Sequence, residues 1–258
     1  MDINNTVGVV IPTYNRTDLV VRAVNSVLNQ TRPVDIVVVV DDGSPSTVTS
    51  FLDQHLQNDR VVLIKASRHN HPGVIRQIGV DSLDTTWVAF LDSDDYWDST
   101  KVEKQLAYAK RNSAQAVSSN AIKLKDNQPA GHYLSERSHI YSLSKLIKRN
   151  VIINSTVLIN RNLLKRAGGL ATSWAVRGCE DYATWLRVST FSNWHYIDES
   201  LCYYTDEPSD SIRTDGKNVM RFSNIVAICD FVSWQLNTGK SRALRFRVIA
   251  RILPWLIQ

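Results

Sequence analysis

Two hydrophobic patterns alternate along the first hundred residues. Short runs of β-branched residues, typical of buried strands, are followed by stretches with apolar residues at every third or fourth position, typical of helices. The predicted strands span residues 7–11, 35–40, 60–65 and 87–91, and the predicted helices span 18–30, 48–56 and 73–83. Strands that alternate with helices in this way predict an α/β fold with a parallel sheet covered by helices.

The second half of the chain continues the pattern less regularly. The predicted helices are 101–111, 161–167 and 181–189, and the predicted strands are 116–124 and 152–160, with a polar and poorly patterned stretch at 125–138. The sequence shows neither an internal repeat nor a clear linker. We therefore predict one domain over residues 1–217 and an α-helical C-terminal tail over residues 218–258.

Polar residues follow three of the predicted strands, at the point where each strand ends. These clusters are Pro12–Arg16, Asp41–Ser44 and Asp92–Asp95. In open α/β sheets, ligands bind in a crevice beside the carboxyl ends of the strands. We therefore expect the three clusters to line one cleft.

The third cluster contains Asp92, Asp94 and Asp95, directly after a fully apolar strand. Neighbouring carboxylates repel each other, and a divalent cation such as Mg²⁺ or Mn²⁺ relieves that repulsion. The alternative is a helix N-cap, in which Ser93 or Asp95 caps the helix that begins near Lys101.

The second cluster, Asp41–Ser44, has two interpretations. Asp-Gly is a common turn pair, so the cluster could be only a turn. Otherwise one aspartate accepts a hydrogen bond from a nucleobase or ribose, as acidic residues do in other nucleotide-binding sheets. The first strand is not followed by the GxGxxG fingerprint, and the chain contains no GxxxxGK[ST] loop. Dinucleotide binding and phosphate-loop ATPase chemistry are therefore disfavoured.

Charge is concentrated at the end of the chain. The formal net charge is +5, and residues 237–258 hold five Lys or Arg residues and no acidic residue. Their apolar residues fall on one side of a predicted helix, so we predict peripheral contact with an anionic membrane and no nucleic-acid binding. The alternative is a helix docked on the domain or an oligomer contact.

Localisation is predicted from what the sequence lacks. The three cysteines are widely spaced, the first residues do not resemble a signal peptide, and no apolar run is long enough to span a membrane. These features predict a cytoplasmic protein, and the basic tail adds the inner face of the cell membrane as a second option.

Four tracts in the same order resemble glycosyltransferase family 2, a family of inverting enzymes. The tracts are Val10–Arg16, Val39–Ser44, Phe90–Asp95 and Cys179–Arg187. The resemblance implies the GT-A fold, in which a Rossmann-like nucleotide-binding sheet is merged with a smaller acceptor-binding region. The donor half would span about residues 1–111 and the acceptor half about residues 112–217.

The resemblance also implies roles for individual residues. The donor nucleotide would lie against Pro12, Thr13, Tyr14, Asn15, Arg16, Asp42, Arg76, Asp92 and Ser93. Asp94 would bind Mn²⁺ or Mg²⁺, with Asp92 as a second possible ligand. Asp181 would be the catalytic base, and Glu180 its neighbour in the acceptor site.

Elementary chemistry supports these roles. A cation stabilises the charge that develops on a departing diphosphate, and a carboxylate takes the proton from an acceptor hydroxyl. The alternative for Glu180 and Asp181 is ordinary negative charge at a helix start, which the helix dipole favours. Trp174 and Trp97 are candidates for stacking against a sugar ring. The histidines show no metal-ligand spacing and are predicted to be surface or loop residues.

Two positions depart from the family pattern. Many members carry a tract like Tyr-Arg-x-His after the last core strand, where this chain has 202–208, with Asp206 or Asp210 as possible substitutes on the metal. Gln77 stands where members often have Asn, which could alter the donor pocket.

The predicted function is transfer of a sugar from a nucleotide-diphosphate sugar to a glycan or lipid-linked acceptor. We predict a UDP-sugar as donor and surface polysaccharide biosynthesis as the process. The alternatives are a catalytically silent nucleotide- or sugar-binding module and a nucleotidyltransferase on a related fold.

Overall fold

The computed structural model describes residues 5–135, 138–205 and 217–239, and these residues form ten strands and eight α-helices. The strands are β1 (Val7–Thr13), β2 (Ile36–Asp42), β3 (Val61–Ala66), β4 (Trp87–Phe90), β5 (Tyr96–Trp97), β6 (Ala116–Lys125), β7 (Gln128–His132), β8 (Ile140–Tyr141), β9 (Leu158–Asn160) and β10 (Trp194–Thr205). The helices are α1 (Asp18–Leu28), α2 (Ser46–His55), α3 (Pro72–Asp81), α4 (Lys101–Asn112), α5 (Leu143–Leu146), α6 (Arg161–Arg166), α7 (Glu180–Val188) and α8 (Lys217–Asn237).

All ten strands belong to one mixed sheet. Its order is β3-β2-β1-β4-β9-β6-β10-β5, with β7 on β6 and β8 on β10. Strands β1 to β4 are parallel, as predicted. The prediction of a parallel sheet is wrong for the second half, where β9 runs antiparallel to both of its neighbours and β5 runs antiparallel to β10. An apolar run identifies a buried strand but does not define its direction, which depends on the connections.

Five strands differ from the sequence pattern: β9 is shorter than predicted, and β5, β7, β8 and β10 were not predicted. The strand predicted at 152–160 is shortened to β9, because residues 154–156 form a 3₁₀ turn whose polar side chains bond to the acidic cluster and to neighbouring backbone. Strand β10 has no counterpart in the prediction. Its pairing with β6 shifts register between Ile197 and Ser200, so the alternation of apolar and polar residues is interrupted there.

The sheet separates two apolar layers. Along β1, Val10 faces a layer formed by α3, α6, α7 and α8, whereas Val9 and Ile11 face a layer formed by α1, α2 and α4. Successive side chains of a strand point to opposite faces, so one buried strand serves both layers. The contact between α3 and β1 is close, because a Cβ atom on Gly79 would lie 2.5 Å from Val10 Cγ1.

Helix α8 packs against α7 and extends to Asn237. Arg187 of α7 donates a hydrogen bond to Asp230 of α8 over 2.6 Å, which ties the two helices together. The basic segment predicted to contact a membrane lies, from residue 240 onward, outside the described residues. Within the described ranges, no helix combines the length and the apolar character needed to cross a membrane.

Lys101, the first residue of α4, is a fully buried cation. Its ammonium group donates to Gln105 Oε1 over 2.7 Å and lies 3.9 Å from the centre of the Trp97 ring. Burial lowers the pKa of Lys101 to about 7. The unfolded chain, in which lysine titrates near its ordinary value, therefore holds more protons than the folded protein between pH 7 and about 10.

The free energy of unfolding is accordingly expected to rise with pH over that interval. Lys101→Met should stabilise the protein by about 1–4 kcal/mol at pH 6, where the buried charge is present in full. This gain should shrink by pH 9. Urea unfolding at the two pH values measures the difference, with the exposed Lys104→Met as the matched control. A gain that is the same at both pH values would contradict the assignment.

Candidate active site

A cleft of about 580 Å³ opens at the carboxyl ends of β1, β2 and β4, opposite the first turn of α7. It is lined by Pro12, Thr13, Tyr14, Asn15, Arg16, Asp42, Arg68, Asn70, His71, Pro72, Ile75, Arg76, Asp92, Ser93, Asp94, Asn154, Arg177, Gly178, Glu180, Asp181, Tyr204 and Thr205. All three polar clusters predicted from the sequence therefore contribute to one cleft. The Glu-Asp pair of α7, some ninety residues further along the chain, also contributes to it.

At one end of the cleft, the two aspartates that end β2 have different roles. The carboxylate of Asp41 accepts hydrogen bonds from the backbone and hydroxyl of Ser44, so Asp41 stabilises the turn. Asp42 is buried in the cleft wall, where it accepts the backbone N–H groups of His69 and Asn70 at 2.6 and 2.9 Å. The turn interpretation therefore applies to Asp41, and Asp42 remains the candidate for contact with a nucleobase or ribose.

The aspartates of the acidic cluster after β4 also differ in whether they lie in the cleft. Asp94 lies in the cleft, where its Oδ2 accepts from Arg16 Nη2 over 3.0 Å. Asp95 points into the protein and accepts from Ser155 Oγ at 2.5 Å and Thr205 N at 2.8 Å. The residue before α4 is Thr100, so neither Ser93 nor Asp95 caps that helix, and the N-cap alternative is wrong.

Burial and mutual repulsion disfavour the charged forms of these carboxyl groups. Burial raises the pKa of Asp94, and the charge of Asp92 adds to that effect while Arg16 opposes it. The pKa of Asp95 is raised well above its ordinary value by burial and then by the charges of Asp94 and Asp92. A positive charge placed in the cleft beside Asp94 would relieve this repulsion.

The described residues fit a divalent cation that binds together with a phosphorylated ligand. No group of three His, Cys, Asp or Glu side chains among them is arranged to hold a metal alone. Mg²⁺ and related ions are commonly held by one or two carboxylates and completed by substrate phosphates and water. Three residues that line the cleft each keep one buried polar atom without a partner in the described structure: Thr13 Oγ1, Arg76 Nε and Asn154 Oδ1. Such atoms are suited to a polar ligand.

Arg76 connects the two halves of the cleft. One nitrogen of its buried guanidinium donates to Asp92 Oδ1 over 2.6 Å and another donates to Glu180 Oε1 over 2.8 Å. Burial alone lowers the pKa of Arg76, but the charges of Asp92 and Glu180 outweigh burial and the net shift is upward. Arg76 is therefore a permanent cation fixed between the two acidic motifs.

Glu180 lines the cleft, but both of its carboxylate oxygens are bonded within the protein. Oε1 accepts from Arg76, and Oε2 accepts from the backbone N–H of Gly178 over 2.7 Å. In this structure Glu180 therefore positions Arg76 and the loop before α7. Its predicted contact with an acceptor would require one of these bonds to be shared.

Asp181 lies in the first turn of α7 and lines the cleft. Its Oδ1 accepts the backbone N–H of Tyr182 over 2.7 Å, as expected for a carboxylate near the positive end of a helix. The hydroxyl of Tyr182 donates to the carbonyl of Leu146 over 2.8 Å, which fixes this turn against α5. Asp181 can therefore stabilise the start of α7 and line the cleft at the same time.

The two candidate tryptophans have opposite positions. Trp97 is 3% exposed in the core and its Nε1 donates to the carbonyl of Ser155, so the predicted sugar contact of Trp97 is wrong. Trp174 is 63% exposed and contacts His71 and Arg177, both of which line the cleft. Trp174 thus lies on the rim, where a sugar ring could reach it.

Gln77 does not alter the donor pocket, contrary to the sequence expectation. Its Oε1 accepts from the backbone of Leu170 over 2.7 Å and its Nε2 donates to Asp81, so it joins α3 to the loop after α6. Of the tract at 202–208, residues up to Thr205 form the end of β10. Asp206 and Asp210 lie outside the described residues.

Several residues of the cleft had no signal in the sequence. The loop after β3 contributes Arg68, Asn70 and His71, and the 3₁₀ turn before β9 contributes Asn154. His71 is a loop residue, one of the two predicted positions for the histidines, but it is buried, with 1% exposure. Its Nδ1 accepts from Gly73 N at the start of α3, so Nε2 carries the proton and donates to the carbonyl of Ser173. A histidine before Pro-Gly at a helix start was the available N-cap signal.

Comparison with known proteins agrees with the predicted family and fold. The family model described as Glycosyl transferase family 2 matches residues 8–223. The teichuronic acid biosynthesis glycosyltransferase TuaG of Bacillus subtilis is 29% identical over 184 residues, which cover 70% of this chain and 71% of that protein. The Escherichia coli UDP-Glc:alpha-D-GlcNAc-diphosphoundecaprenol beta-1,3-glucosyltransferase WfaP is 26% identical over 224 residues, which cover 85% of each chain.

Solved structures show the same fold. TarS of Staphylococcus aureus in complex with UDP superposes with a TM-score of 0.70 at 19% identity, over 96% of this chain and 70% of that one. The mannosyltransferase PcManGT of Pyrobaculum calidifontis, in complex with GDP-Man and Mn²⁺, gives 0.65 at 18% identity, over 97% and 69%. The predicted GT-A fold is thus confirmed, and because the family model spans most of the sequence, the chain belongs to glycosyl transferase family 2.

Proposed function

We propose that the protein transfers a sugar from a UDP-sugar to a hydroxyl group of a glycan or lipid-linked acceptor, with inversion at the anomeric carbon. The observation that carries this proposal is the chain of contacts across the cleft. Arg76 bonds both to Asp92 of the acidic cluster after β4 and to Glu180 of the Glu-Asp pair of α7, and Asp42 at the end of β2 lines the same cleft. A carboxylate suited to a base, a region suited to phosphates and a candidate catalytic base therefore line one cleft between the sheet edge and α7.

The donor half supports nucleotide binding. The ring of Tyr14 is 43% exposed in the cleft, and the Asp42 carboxylate beside it can accept an N–H group of a base. The diphosphate would lie near Arg76 and Thr13, whose unpartnered Nε–H and hydroxyl groups could donate to it, while the unpartnered Oδ1 of Asn154 could accept from a sugar hydroxyl or a bound water. Asp94 would hold a divalent cation, which when bound supplies Lewis-acid stabilisation to the departing diphosphate.

The catalytic step requires a base on the side of the sugar away from the leaving group. A sugar hydroxyl is a weak nucleophile, and a carboxylate that takes its proton during attack lowers the barrier. Asp181 lines the cleft from the first turn of α7, next to Glu180, which bonds to Arg76. A single displacement, in which Asp181 takes the proton and Asp94 holds the cation, inverts the anomeric centre.

The names of the relatives support the acceptor class. WfaP is named for a diphosphoundecaprenol-linked acceptor and a UDP-glucose donor, and TuaG for teichuronic acid biosynthesis. We therefore propose a lipid-linked glycan acceptor and a place in surface polysaccharide assembly. Trp174 on the rim of the cleft would contact the acceptor sugar.

Nucleotide binding tests the proposal most directly. In calorimetric titrations with Mn²⁺, we expect UDP to bind more tightly than GDP, CDP or dTDP, and we expect its affinity to fall about tenfold or more when a chelator replaces the ion. A UDP-sugar screen against lipid-linked acceptors then identifies the transfer. Absence of metal-dependent binding for all four nucleotides would favour the silent module instead.

A further inference from the structure

The nucleobase end of the cleft is filled by a side chain of the protein itself. The guanidinium of Arg68 lies 3.4 Å from the centre of the Tyr14 ring. One of its nitrogens donates a hydrogen bond to Asp42, and the other donates to Asn70 Oδ1 over 3.1 Å. Tyr14 and Asp42 are the two groups to which the proposed function assigns the base.

A guanidinium and a uracil ring present the same features to these two partners. Both are flat groups that stack on an aromatic face, and both direct an in-plane N–H toward a carboxylate. A separation of 3.4 Å is close contact for stacked planar groups, so a second ring cannot enter between Arg68 and Tyr14. Arg68 and a base would therefore compete for the same ring face and the same carboxylate.

The backbone of this loop is fixed, so only the Arg68 side chain can leave. The backbone N–H groups of His69 and Asn70 are bonded to Asp42, and Arg177 donates to the carbonyl of Asn70 over 2.6 Å. A Cβ atom on Gly43 would lie 2.8 Å from Arg68 N, which shows how closely the loop packs on the end of β2. The Arg68 side chain itself is 39% exposed and can swing toward solvent.

We propose that Arg68 occupies the base position of the donor-free protein and is displaced when the nucleotide binds. It thereby weakens donor binding and acts as a specificity filter, because only a base that stacks on Tyr14 and donates to Asp42 replaces both contacts. This inference rests on the proposed function, since it assumes that the ligand of the cleft is a nucleoside diphosphate.

The test is calorimetric titration of UDP and of uridine, each with Mn²⁺, into the wild type, Arg68→Ala and Lys65→Ala. We expect Arg68→Ala to bind both ligands about fivefold more tightly, because the competing group is gone. Lys65 lies near the end of β3, three residues before Arg68, and pairs with Asp53, so Lys65→Ala removes an equal charge without touching the base position and should bind like the wild type. Uridine carries no phosphate, so a gain with uridine places the effect at the base.

Arg68→Gln, which keeps a planar but uncharged group, should give a smaller gain and serves if the alanine variant does not fold. Weaker or unchanged binding of UDP by a folded Arg68 variant would overturn the inference and leave the proposed function standing. If UDP binds none of the proteins, the proposed function fails and the inference fails with it.

Discussion

Asp181→Asn is expected to lower the rate of sugar transfer by about 10²–10⁴-fold while leaving UDP affinity within about twofold of the wild type. Asparagine keeps the size of the side chain and its oxygen acceptor for the Tyr182 N–H, so the first turn of α7 should remain intact. It cannot take a proton from the acceptor hydroxyl. Single-turnover transfer from a UDP-sugar, together with calorimetry for UDP, separates the two effects.

The matched control for this variant is Asp84→Asn. Asp84 is a fully exposed carboxylate that pairs with Arg161 outside the cleft, so the same chemical change there should leave transfer unchanged. If Asp181→Asn retains more than about a tenth of the wild-type rate, the catalytic base is a different group.

Asp94→Ala is expected to abolish the metal dependence of donor binding. The affinity for UDP in Mn²⁺ should fall to the value measured with a chelator, and transfer should fall about 10³-fold or more. The physical reason is that Asp94 is the carboxylate of the acidic cluster that faces the cleft, whereas Asp95 is bonded inward to Ser155 and Thr205. Electron paramagnetic resonance of free Mn²⁺, with and without UDP, measures the binding independently of activity.

Arg16→Gln provides a second test of the same carboxylate. Arg16 donates to Asp94 Oδ2, so its positive charge occupies one of the oxygens that a cation would use. Removing that charge should strengthen Mn²⁺ binding in the same resonance experiment, by about two- to tenfold for a partly exposed pair.

The control for Asp94→Ala is Asp53→Ala, which removes an exposed carboxylate that pairs with Lys65. Equal Mn²⁺ binding by the wild type and Asp94→Ala would assign the cation to other ligands.

The pattern of the sequence was sufficient for the donor half of the fold. Strands β1 to β4 lie where short β-branched runs predict them, and they are parallel because each is joined to the next by a helix-length connection. The same argument located the cleft, since the carboxyl ends of parallel strands share one edge of the sheet. The hydrophobic pattern did not predict the antiparallel direction of β9 or the presence of β10, because hydrophobicity indicates which residues are buried and not which strands pair.

The sequence alone could not show which aspartate of each cluster faces the cleft. Asp41 and Asp42 are adjacent and chemically identical, yet one bonds the turn and the other faces the cleft. Asp94 and Asp95 divide in the same way. Asp41 and Asp42 are successive residues of a strand, so their side chains point in opposite directions, whereas Asp94 and Asp95 are separated by the turn after β4, in which Asp95 N donates to the carbonyl of Asp92.

The sequence by itself determined the family, the positions and parallel direction of the first four strands, and the residue types at the cleft, because these depend on local pattern and on short motifs in a fixed order. Only the tertiary structure decided that Arg76 joins Asp92 to Glu180, that Trp97 is buried while Trp174 is exposed, and that Arg68 covers Tyr14. These contacts join segments as much as 104 residues apart. Their formation depends on how the whole chain packs, which hydrophobic periodicity does not encode.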